Sequence, residues 1–429
     1  MIGNWTDIAL QDIISYAIGG DWGYNPEESI DDSTLAYCIR GSEIKEWNKN
    51  RGKTAVIRRI KNSSLENRKL EIGDILLEIS GGGPEQPVGR VLYIDEETIK
   101  TQDNHPIVCT NFFRRLHLND TVCSRYVYYY LHFFYIIGNT ISLQGGSNNL
   151  RNLKFKDYQL IRIPLPSLTE QKQIAEKLDK LFDQIETIKK ASNRIPELLK
   201  NFRQQVLTYA VTGKLTEEWR KERLLDEWHK ELAKDCCEKV QSGGTPKGGQ
   251  FALSGIPFLK VYNIVGNKID FESEPQYVSE EIQNSQIKKS ITYPGDVIMN
   301  IVGPPLNKVA IIPDTYKEWN INQAITLFRP KEYLNNQYLY YFFCEGASVN
   351  SVLDKTRGVV GQVNISLSQC REFAISIPPM EEQLEIVKRV QTLFDILDDV
   401  ERRYNTLCEK LDKLPQALLG KAFNGELAL

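Results

Sequence analysis

The sequence is poor in the residues from which catalytic and metal centres are usually built. Its 429 residues include only four histidines, at positions 105, 117, 132 and 229, and this wide spacing predicts no metal cluster. Walker, HExxH and GxSxG motifs are missing, as is the Asn-Pro-Pro-Tyr/Phe motif of adenine methyltransferases. The pattern therefore argues against a catalytic centre on this chain.

Long hydrophobic runs are also missing. No stretch of about 18 apolar residues exists, which argues against a membrane span. The nearest candidate, 126–138, contains His132 and is interpreted as a buried aromatic helix. The eight cysteines form no CxxC pair, and no signal-peptide pattern opens the chain, so we expect reduced thiols in a cytoplasmic protein.

Two weak motifs have simple alternatives. Gly81-Gly82-Gly83 is glycine-rich like a phosphate loop, but no Lys-Ser/Thr pair follows, so a mobile loop is the simpler interpretation. Glu43-Ile44-Lys45 matches part of a nuclease motif without a convincing upstream aspartate, so surface charge is the favoured explanation. Neither motif predicts an activity.

Charge is nearly balanced overall but uneven locally. The formal net charge is −3. Between Thr34 and Lys69, however, ten basic residues stand against three acidic ones, a local excess of +7. This stripe, which includes Arg40, Arg58 and Arg59, fits contact with phosphates, and a solvated face is the alternative.

The most regular feature is a long heptad pattern between Ile174 and Tyr209. Apolar residues recur at steps of four and three for about five heptads, which predicts a coiled-coil helix. Pro196 falls inside the pattern and should kink or break the helix, and Gly213 should end it. The predicted seam residues are Ile174, Leu178, Leu181, Ile185, Ile188, Leu199 and Val206.

The same pattern returns 212 residues later without a gap, so the chain is an internal duplication. The globular parts repeat more loosely: Gly73-Asp74 matches Gly295-Asp296 at an offset of 222. Two divergent globular parts (heads), each joined to a similar helix, suggest two different binding specificities. The alternative is an old duplication whose two copies have the same role. The second seam comprises Ile386, Val390, Leu393, Leu397, Val400, Leu407, Leu411 and Leu418.

Each seam must be buried, and pairing with the other copy does so within one chain. The predicted fold class is α+β: two globular α/β domains separated by two long helices, which form an intramolecular antiparallel coiled coil with a pseudo-two-fold repeat. The predicted boundaries are 1–165 and 217–373 for the domains, with helices in 166–216 and 374–429. Residues 144–149 are interpreted as a polar loop and 217–235 as a helical lead-in. Two heads at a fixed separation would suit two DNA half-sites.

Several motifs resemble the specificity (S) subunits of Type I restriction–modification systems. Ile163-Pro-Leu-Pro…Thr-Glu-Gln171 precedes the first helix and Ile377-Pro-Pro-Met-Glu-Glu-Gln383 the second. Tyr293-Pro-Gly-Asp-Val-Ile298 and Gly244-Thr-Pro246 are also similar to that family. The resemblance covers essentially the whole chain. One departure is that the first head has Gly19-Gly20-Asp21-Trp22 where the Gly-Thr-Pro loop would lie.

The resemblance implies a non-catalytic DNA-binding subunit that reads a bipartite target in double-stranded DNA. It would carry two modification subunits, which methylate adenine N6 with S-adenosylmethionine, and through them restriction subunits that need ATP and Mg²⁺. No cofactor is expected on this chain. The expected location is the cytoplasm of a bacterium or archaeon, without a membrane partner.

Residues expected to contact DNA follow from this resemblance, from the basic stripe and from the polar loops, since Arg suits guanine and Asn or Gln suits adenine. Gln171, Lys172, Gln383 and Lys388, expected on helix faces opposite the seam, would help to dock the modification subunits. The candidate DNA contacts are Arg40, Arg58, Arg59, Arg90, Asn149, Arg151, Asn152, Lys247, Lys260, Lys308, Arg357, Gln362 and Asn364.

Three alternatives stay open at this point. The chain could serve a Type IIB-like system, in which the partner fuses methylase and nuclease. It could be a DNA-modifying enzyme in its own right. It could also be a structural coiled-coil protein without a role on DNA.

Overall fold

The computed structural model describes residues 5–83, 85–100, 105–147, 150–249, 251–356 and 364–427. The chain divides into two compact units, one formed by residues 1–192 with 406–429 and the other by residues 193–405. We call the part of the first unit before residue 166 the first head, and residues 217–373 the second head.

The first unit contains twelve strands, seven α-helices and two short 3-10 helices, Gly41–Glu46 and Ile141–Leu143, among its described residues before Asn193. Its strands are β1 Thr6–Ala9, β2 Ile14–Gly19, β3 Ser33–Ile39, β4 Val56–Lys61, β5 Ile75–Glu78, β6 Ser80–Gly81, β7 Val91–Tyr93, β8 Ile107–Cys109, β9 Phe113–Leu118, β10 Gln144–Ser147, β11 Leu150–Leu153 and β12 Arg162–Leu165. Its helices are α1 Leu10–Ile13, α2 Trp47–Asn50, α3 Asn62–Arg68, α4 Glu96–Lys100, α5 Ser124–Ile136, α6 Phe155–Tyr158 and α7 Leu168–Ser192.

The second unit repeats this alternation of short strands and helices. Its helices are α8 Ile195–Val211, α9 Glu217–Lys221, α10 Ala233–Cys236, α11 Glu280–Gln286, α12 Asn336–Glu345, α13 Ala347–Thr356, α14 Leu367–Arg371 and the first part of α15 Met380–Phe423. Its strands are β13 His229–Leu232, β14 Cys237–Ser242, β15 Ile256–Leu259, β16 Ile264–Val265, β17 Lys268–Ile269, β18 Tyr277–Val278, β19 Ile291–Thr292, β20 Val297–Asn300, β21 Val309–Ile311, β22 Trp319–Ile321, β23 Ile325–Pro330 and β24 Ala374–Ile377.

The two heads share one strand order. In the first, an antiparallel sheet runs β2-β9-β5-β7 beside a sheet β4-β3-β8; in the second, β14-β23-β20-β21 lies beside β18-β15-β22-β19. The second of these sheets contains one parallel pair in each head, β3 with β8 and β15 with β22, and in the second head it gains a fourth strand, β19. The predicted duplication therefore holds for the topology as well as for the helix sequence.

The Gly-Asp turns lead into the buried central strands, as predicted. Gly73 and Gly295 adopt φ of +95° and +88°, which favours glycine. The aspartates that follow are buried and ion-paired: Asp74 with Arg115 at 2.6 Å, and Asp296 with Arg329 at 2.7 Å. Each pair joins the turn to the neighbouring strand, so the turn fixes the sheet register in both heads.

Each head is closed by a strand pair next to a long helix. β1 pairs with β12, and β13 pairs with β24, both antiparallel. The closing strands contain Pro164 in one head and lead into Pro378-Pro379 in the other, and prolines favour extended backbone before them. This fixes where the chain leaves the head and enters the helix.

In the first unit, α7 lies antiparallel to the last part of α15. Near the start of α7, Ile174 shares a core with Leu419 and Phe423. Near its end, Lys189 Nζ lies 2.9 Å from Asp412 Oδ1. Residue numbers therefore rise along α7 while those of its partner fall.

The second unit contains the matching pair of α8 and the first part of α15. Ala210 shares a core with Ile386 and Val390, and Arg203 lies 2.5 Å from Asp398. This pair is also antiparallel. In the ion pairs of both units, Lys189–Asp412 and Arg203–Asp398, the two residue numbers add up to 601, so one register describes both pairs.

The seam residues differ in burial. Leu181, Leu393 and Leu418 are half-buried, and Ile188, Val400 and Leu407 are exposed at 44%, 39% and 37%. A strict seven-residue repeat drifts by about 20° per heptad around a straight helix, which turns some seam positions outward. The buried members are Ile174, Leu178, Ile185, Leu199, Val206, Ile386, Val390, Leu397 and Leu411.

The predicted break near Pro196 is confirmed, because α7 ends at Ser192 and α8 starts at Ile195 with the proline in its first turn. Gly213 follows the end of α8 with φ of +75°. Pro415, by contrast, lies inside α15, which continues through it.

Two local expectations were wrong. Residues 144–147 form β10, which pairs with β11 rather than forming a loop, and β11 in turn pairs with β6. Within 217–235 only Glu217–Lys221 and Ala233–Cys236 are helical, and His229–Leu232 is a strand. In both cases the pairing partner lies far along the chain, which local composition does not reveal.

Candidate nucleic-acid interface

In each head, a glycine-containing backbone segment passes very close to another part of the chain, at equivalent positions. We call this contact the glycine crossing. In the first head, Gly20 N donates to Phe113 O and Asp21 N donates to Cys109 O. In the second, Gly243 N donates to Ile325 O and Gly244 N to Ile321 O. The acceptors are 212 residues apart and the donors 223, so the crossing belongs to the duplication.

Only glycine fits at these crossings. A Cβ on Gly20 would overlap the carbonyl oxygens of Cys109 and Thr110, and one on Gly243 would overlap those of Ile321 and Asn322. The Gly-Thr-Pro loop of the second head and the Gly-Asp-Trp segment of the first thus start from one backbone arrangement, although their sequences differ.

After the crossing in the first head, the chain runs along the outside of β4. Tyr24 and Arg59 exchange two backbone hydrogen bonds, of 2.9 and 3.1 Å. Asp21 holds the start of the segment, since its Oδ1 accepts from Gly23 N and its Oδ2 from Ser64 Oγ. Residues 21–26, which we call the edge segment, are therefore fastened at both ends.

Two of the predicted DNA contacts hold this segment. Arg58 donates to Trp22 O, Gly23 O and Asn25 Oδ1 at 2.7–3.3 Å, and its guanidinium lies 4.3 Å from the Trp22 ring centroid. Arg59 donates twice to Pro26 O. Both guanidinium groups thus contact the edge segment itself; their contact with DNA stays a prediction.

The loop of the second head is bound differently. The hydroxyl of Thr245 hydrogen-bonds to Gln323 Oε1, and Lys247 N donates to Gln286 Oε1 at 2.9 Å. The side chain of Lys247 is exposed. Its contact with DNA stays a prediction.

Arg40 and Lys260 occupy one structural position, directly after β3 and β15. Arg40 forms a 2.7 Å ion pair with buried Glu43. Lys260 Nζ instead lies 4.7 Å from the ring centroid of Phe251. The two heads thus present different cations there, one neutralised by a carboxylate and one lying over an aromatic ring.

The pair Arg90 and Lys308 also differs between heads. Arg90 forms an ion pair with Glu78 at 2.5 Å. Burial alone would lower the pKa of Arg90, but the hydrogen bond to Glu78 and the charge of Glu78 outweigh burial, so the pKa of Arg90 is raised. Lys308 is half-buried, and its backbone N donates to Asn300 Oδ1 at 2.7 Å. Arg90 therefore lies in a carboxylate pair at the base of the loop.

Three of the remaining candidates lie in or beside paired strands. Arg151 and Asn152 belong to β11, where Asn152 is exposed and pairs with Ser80. Asn364 is exposed and forms a single bridge with Val302. Three further candidates fall outside the described residues: Asn149, Arg357 and Gln362.

The long helices are tied to the heads by a repeated glutamine. Gln171 Oε1 accepts from Cys123 N, which precedes α5, and its Nε2 donates to Pro166 O, both at 2.9 Å. Gln383 Oε1 accepts from Asn335 N at 2.7 Å. Each glutamine therefore fixes the start of a head helix to the start of a long helix.

Their position corrects the sequence interpretation. Gln171 and Gln383 are only 2% and 0% exposed, so the prediction that they lie on an outward docking face was wrong. Lys172 and Lys388, one and five residues further along, are exposed. The Glu-Gln motif marks the junction of helix and head, where an amide can serve backbone donors and acceptors at once.

Exposed apolar side chains follow one face of the helices in the second unit. On α8 these are Leu198, Phe202 and Tyr209, at 63%, 44% and 39% exposure. On α15 they are Ile396 and Val400, at 55% and 39%. Spacings of four and eleven residues bring them to one side of each helix, as for a surface that another helix covers.

Sequence reasoning missed two exposed aromatic residues in the edge segment. Trp22 is 40% exposed and Tyr24 37%. The signal was the Gly-Gly-Asp-Trp run, noted only as a departure from the Gly-Thr-Pro loop. Counted from the glycine crossing, Trp22 and Tyr24 match Thr245 and Lys247 of the second head.

The described part of the chain has neither a metal-binding cluster nor a membrane-spanning helix. No group of three or more His, Cys, Asp or Glu residues is arranged to hold a metal ion there. No helix within those ranges has the length and apolar composition needed to cross a bilayer.

Comparison with known proteins gives consistent matches. The model of the Type I restriction modification DNA specificity domain matches twice, at residues 36–197 and 226–409. The chain is 31% identical over 295 residues to the Type I restriction enzyme EcoKI specificity subunit of Escherichia coli K12, covering 67% of this chain and 62% of that protein.

A second relative and a solved structure extend the likeness. The StySPI specificity subunit of Salmonella potsdam is 28% identical over 386 residues, 86% of this chain and 77% of its own. The crystal structure of the HsdS subunit from Thermoanaerobacter tengcongensis has a TM-score of 0.66 at 18% identity, over 99% of this chain and 98% of that one. The likeness to this solved structure supports the fold alone.

Proposed function

The chain belongs to the family of Type I restriction modification DNA specificity domains, and from this premise we propose that it is the sequence-specific DNA-binding subunit of a restriction–modification complex. Each head reads one half of a bipartite target in double-stranded DNA. The paired helices separate the two halves and carry the other subunits. The chain contributes recognition and assembly, not a chemical step.

The observation that carries the proposal is the repeated head with divergent contact residues. Strand order and the glycine crossing are shared, whereas the side chains beyond the crossing differ: Trp22 and Tyr24 in one head, Thr245 and Lys247 in the other. A shared frame with different side chains suits two readers of different short sequences, because base edges are discriminated by side chains and not by backbone.

The exposed apolar face of α8 and α15 supports a protein partner. Leu198 and Phe202 are four residues apart on α8, as are Ile396 and Val400 on α15, so each helix offers a stripe to a further helix. We assign this face to a modification subunit, with two such subunits per specificity chain. Restriction subunits would join through them.

The chemistry belongs to these partners. S-adenosylmethionine would be bound by the modification subunits, which transfer its methyl group to adenine N6. ATP and Mg²⁺ would be bound by the restriction subunits. In this proposal the assembly works in the cytoplasm of a bacterium or archaeon, where its DNA is found.

One experiment tests the proposal. The chain is co-expressed with the modification subunit in a host without N6-methyladenine, and methylated adenines are mapped by direct sequencing. We expect two short conserved sequences separated by a spacer of constant length. A single continuous motif, or methylation without this chain, would contradict the proposal. Methyl transfer or cleavage by the isolated chain would also contradict it, by showing an enzyme.

A further inference from the structure

The edge segment of the first head exposes large aromatic rings on a backbone that is firmly held. Trp22 and Tyr24 point outward from residues 21–26, which contact β4 by the Tyr24–Arg59 backbone pair. A surface tryptophan would normally be free to turn. Here the ring lies 4.3 Å below the Arg58 guanidinium, which restricts its orientation.

The two arginines on β4, Arg58 and Arg59, bind the edge segment. Arg58 makes three hydrogen bonds to the edge segment and Arg59 two to Pro26 O. Planar guanidinium groups that span several carbonyl oxygens fix a backbone better than a lysine could. The geometry of Arg58 and Arg59 therefore suits a role in fixing the backbone of the edge segment, which carries the aromatic side chains.

An exposed lysine lies beside the aromatic rings, within a stretch rich in basic residues. Lys61 Nζ lies 5.9 Å from the Tyr24 ring centroid. Three further lysines of the basic stripe, Lys45, Lys49 and Lys53, have exposed side chains elsewhere in this head. Basic side chains interleaved with exposed aromatics are typical of surfaces that bind nucleic acid, because the cations contact phosphates while the rings contact bases.

We propose that Trp22, with Tyr24 beside it, is the base-contacting element of the first head, and that Arg58 and Arg59 are positioning residues. This rests on the proposed function. The ligand is duplex DNA: the indole lies against a base edge, such as a thymine methyl group, or wedges at a base step. Lys61 contacts the phosphates beside it.

The test uses the complex of this chain with its modification subunit and a duplex that carries both half-sites. Trp22→Ala should weaken binding roughly 5- to 100-fold, the usual range for losing one aromatic–base contact. Trp22→Phe should retain much of the affinity. Tyr16→Ala serves as an exposure-matched control, since Tyr16 is 37% exposed on β2, and it should leave DNA affinity unchanged.

Salt dependence separates the two kinds of contact. Lys61→Ala should lower the slope of log affinity against log salt by about one, because a phosphate contact is lost. Trp22→Ala and Arg58→Gln should weaken binding without changing that slope. If Arg58→Gln lowers the slope as Lys61→Ala does, Arg58 contacts DNA directly and the positioning role is refuted.

Scrambled half-sites distinguish this inference from the proposed function. Trp22→Ala should have no further effect once the half-site of the first head is scrambled, and its full effect when only the other half is. If the wild-type complex prefers no bipartite duplex, the proposed function fails. If it does, but Trp22→Ala binds as tightly as wild type, only the assignment of Trp22 fails.

Discussion

Replacing Gln383 by methionine should loosen the second head from its long helix. The buried amide makes three hydrogen bonds: Oε1 accepts from Asn335 N at 2.7 Å, and Nε2 donates to Tyr333 O and Pro378 O at 2.9 and 2.8 Å. Methionine has nearly the same length and volume, so it removes these bonds with little change in packing.

The expected loss follows from the groups left without a partner. A buried donor or acceptor without its hydrogen bond costs about 1–3 kcal/mol, and backbone relaxation recovers part of this for the carbonyls. For Gln383→Met we therefore expect a loss of about 2–4 kcal/mol. Gln171 makes two such bonds, one to Cys123 N and one to Pro166 O, so Gln171→Met should cost less, about 1–3 kcal/mol.

Urea unfolding of the full chain gives the loss, and hydrogen exchange of α12 shows where it acts. The amides of the first turn of α12 should exchange faster in Gln383→Met, while those of α5 do not change. Gln184, exposed on α7, provides the control, and Gln184→Met should change stability by less than about 0.5 kcal/mol. A loss as small as this for Gln383→Met would refute the role of the buried amide.

Three further predictions concern the first head. Arg115→Met should destabilise the first unit by about 3–5 kcal/mol in urea melts, because the buried Asp74 carboxylate loses its guanidinium partner and keeps only its contacts with His117 Nδ1 and Glu71 N; the double variant with Asp74→Asn should recover part of this. Gly20→Ala should lower DNA affinity in filter binding because its Cβ overlaps backbone, whereas Gly19→Ala, with open space, should not. Burial lowers the pKa of His132 from 6.5 to about 4, so the folded state binds fewer protons than the unfolded one between these values. Thermal stability should therefore fall as pH drops from 6.5 to 4, and His132→Phe should flatten this pH profile.

The helical frame was predictable because its signals are local and repeated. Heptad spacing shows in the sequence, as do the stop at Gly213 and the break before Pro196, and the structure has all three. The antiparallel pairing of the long helices was predictable because two apolar stripes on one chain must both be covered. Burial of individual seam positions such as Ile188 was not predictable, because it depends on helix phase.

The contact surface was harder to predict, because side chains with similar chemistry serve different purposes. Arg58 and Arg59 were identified from charge alone, and charge does not distinguish a guanidinium facing solvent from one that binds nearby carbonyl oxygens. Trp22 was overlooked because a single aromatic residue after glycines has no periodic pattern. The polar stretch at 144–147 was interpreted as a loop because its pairing with β11 depends on contacts beyond local composition.

The central claim is that the paired helices set the distance between two DNA-reading heads. Because one register describes the helix pairs of both units, removing 183–189 together with 412–418 should leave the remaining contacts in phase. Each helix would be shortened by about 10 Å, or roughly three base pairs. N6-methyladenine mapping with this variant should show both half-sites unchanged and the spacer about three base pairs shorter. An unchanged spacer in an active complex would contradict the claim.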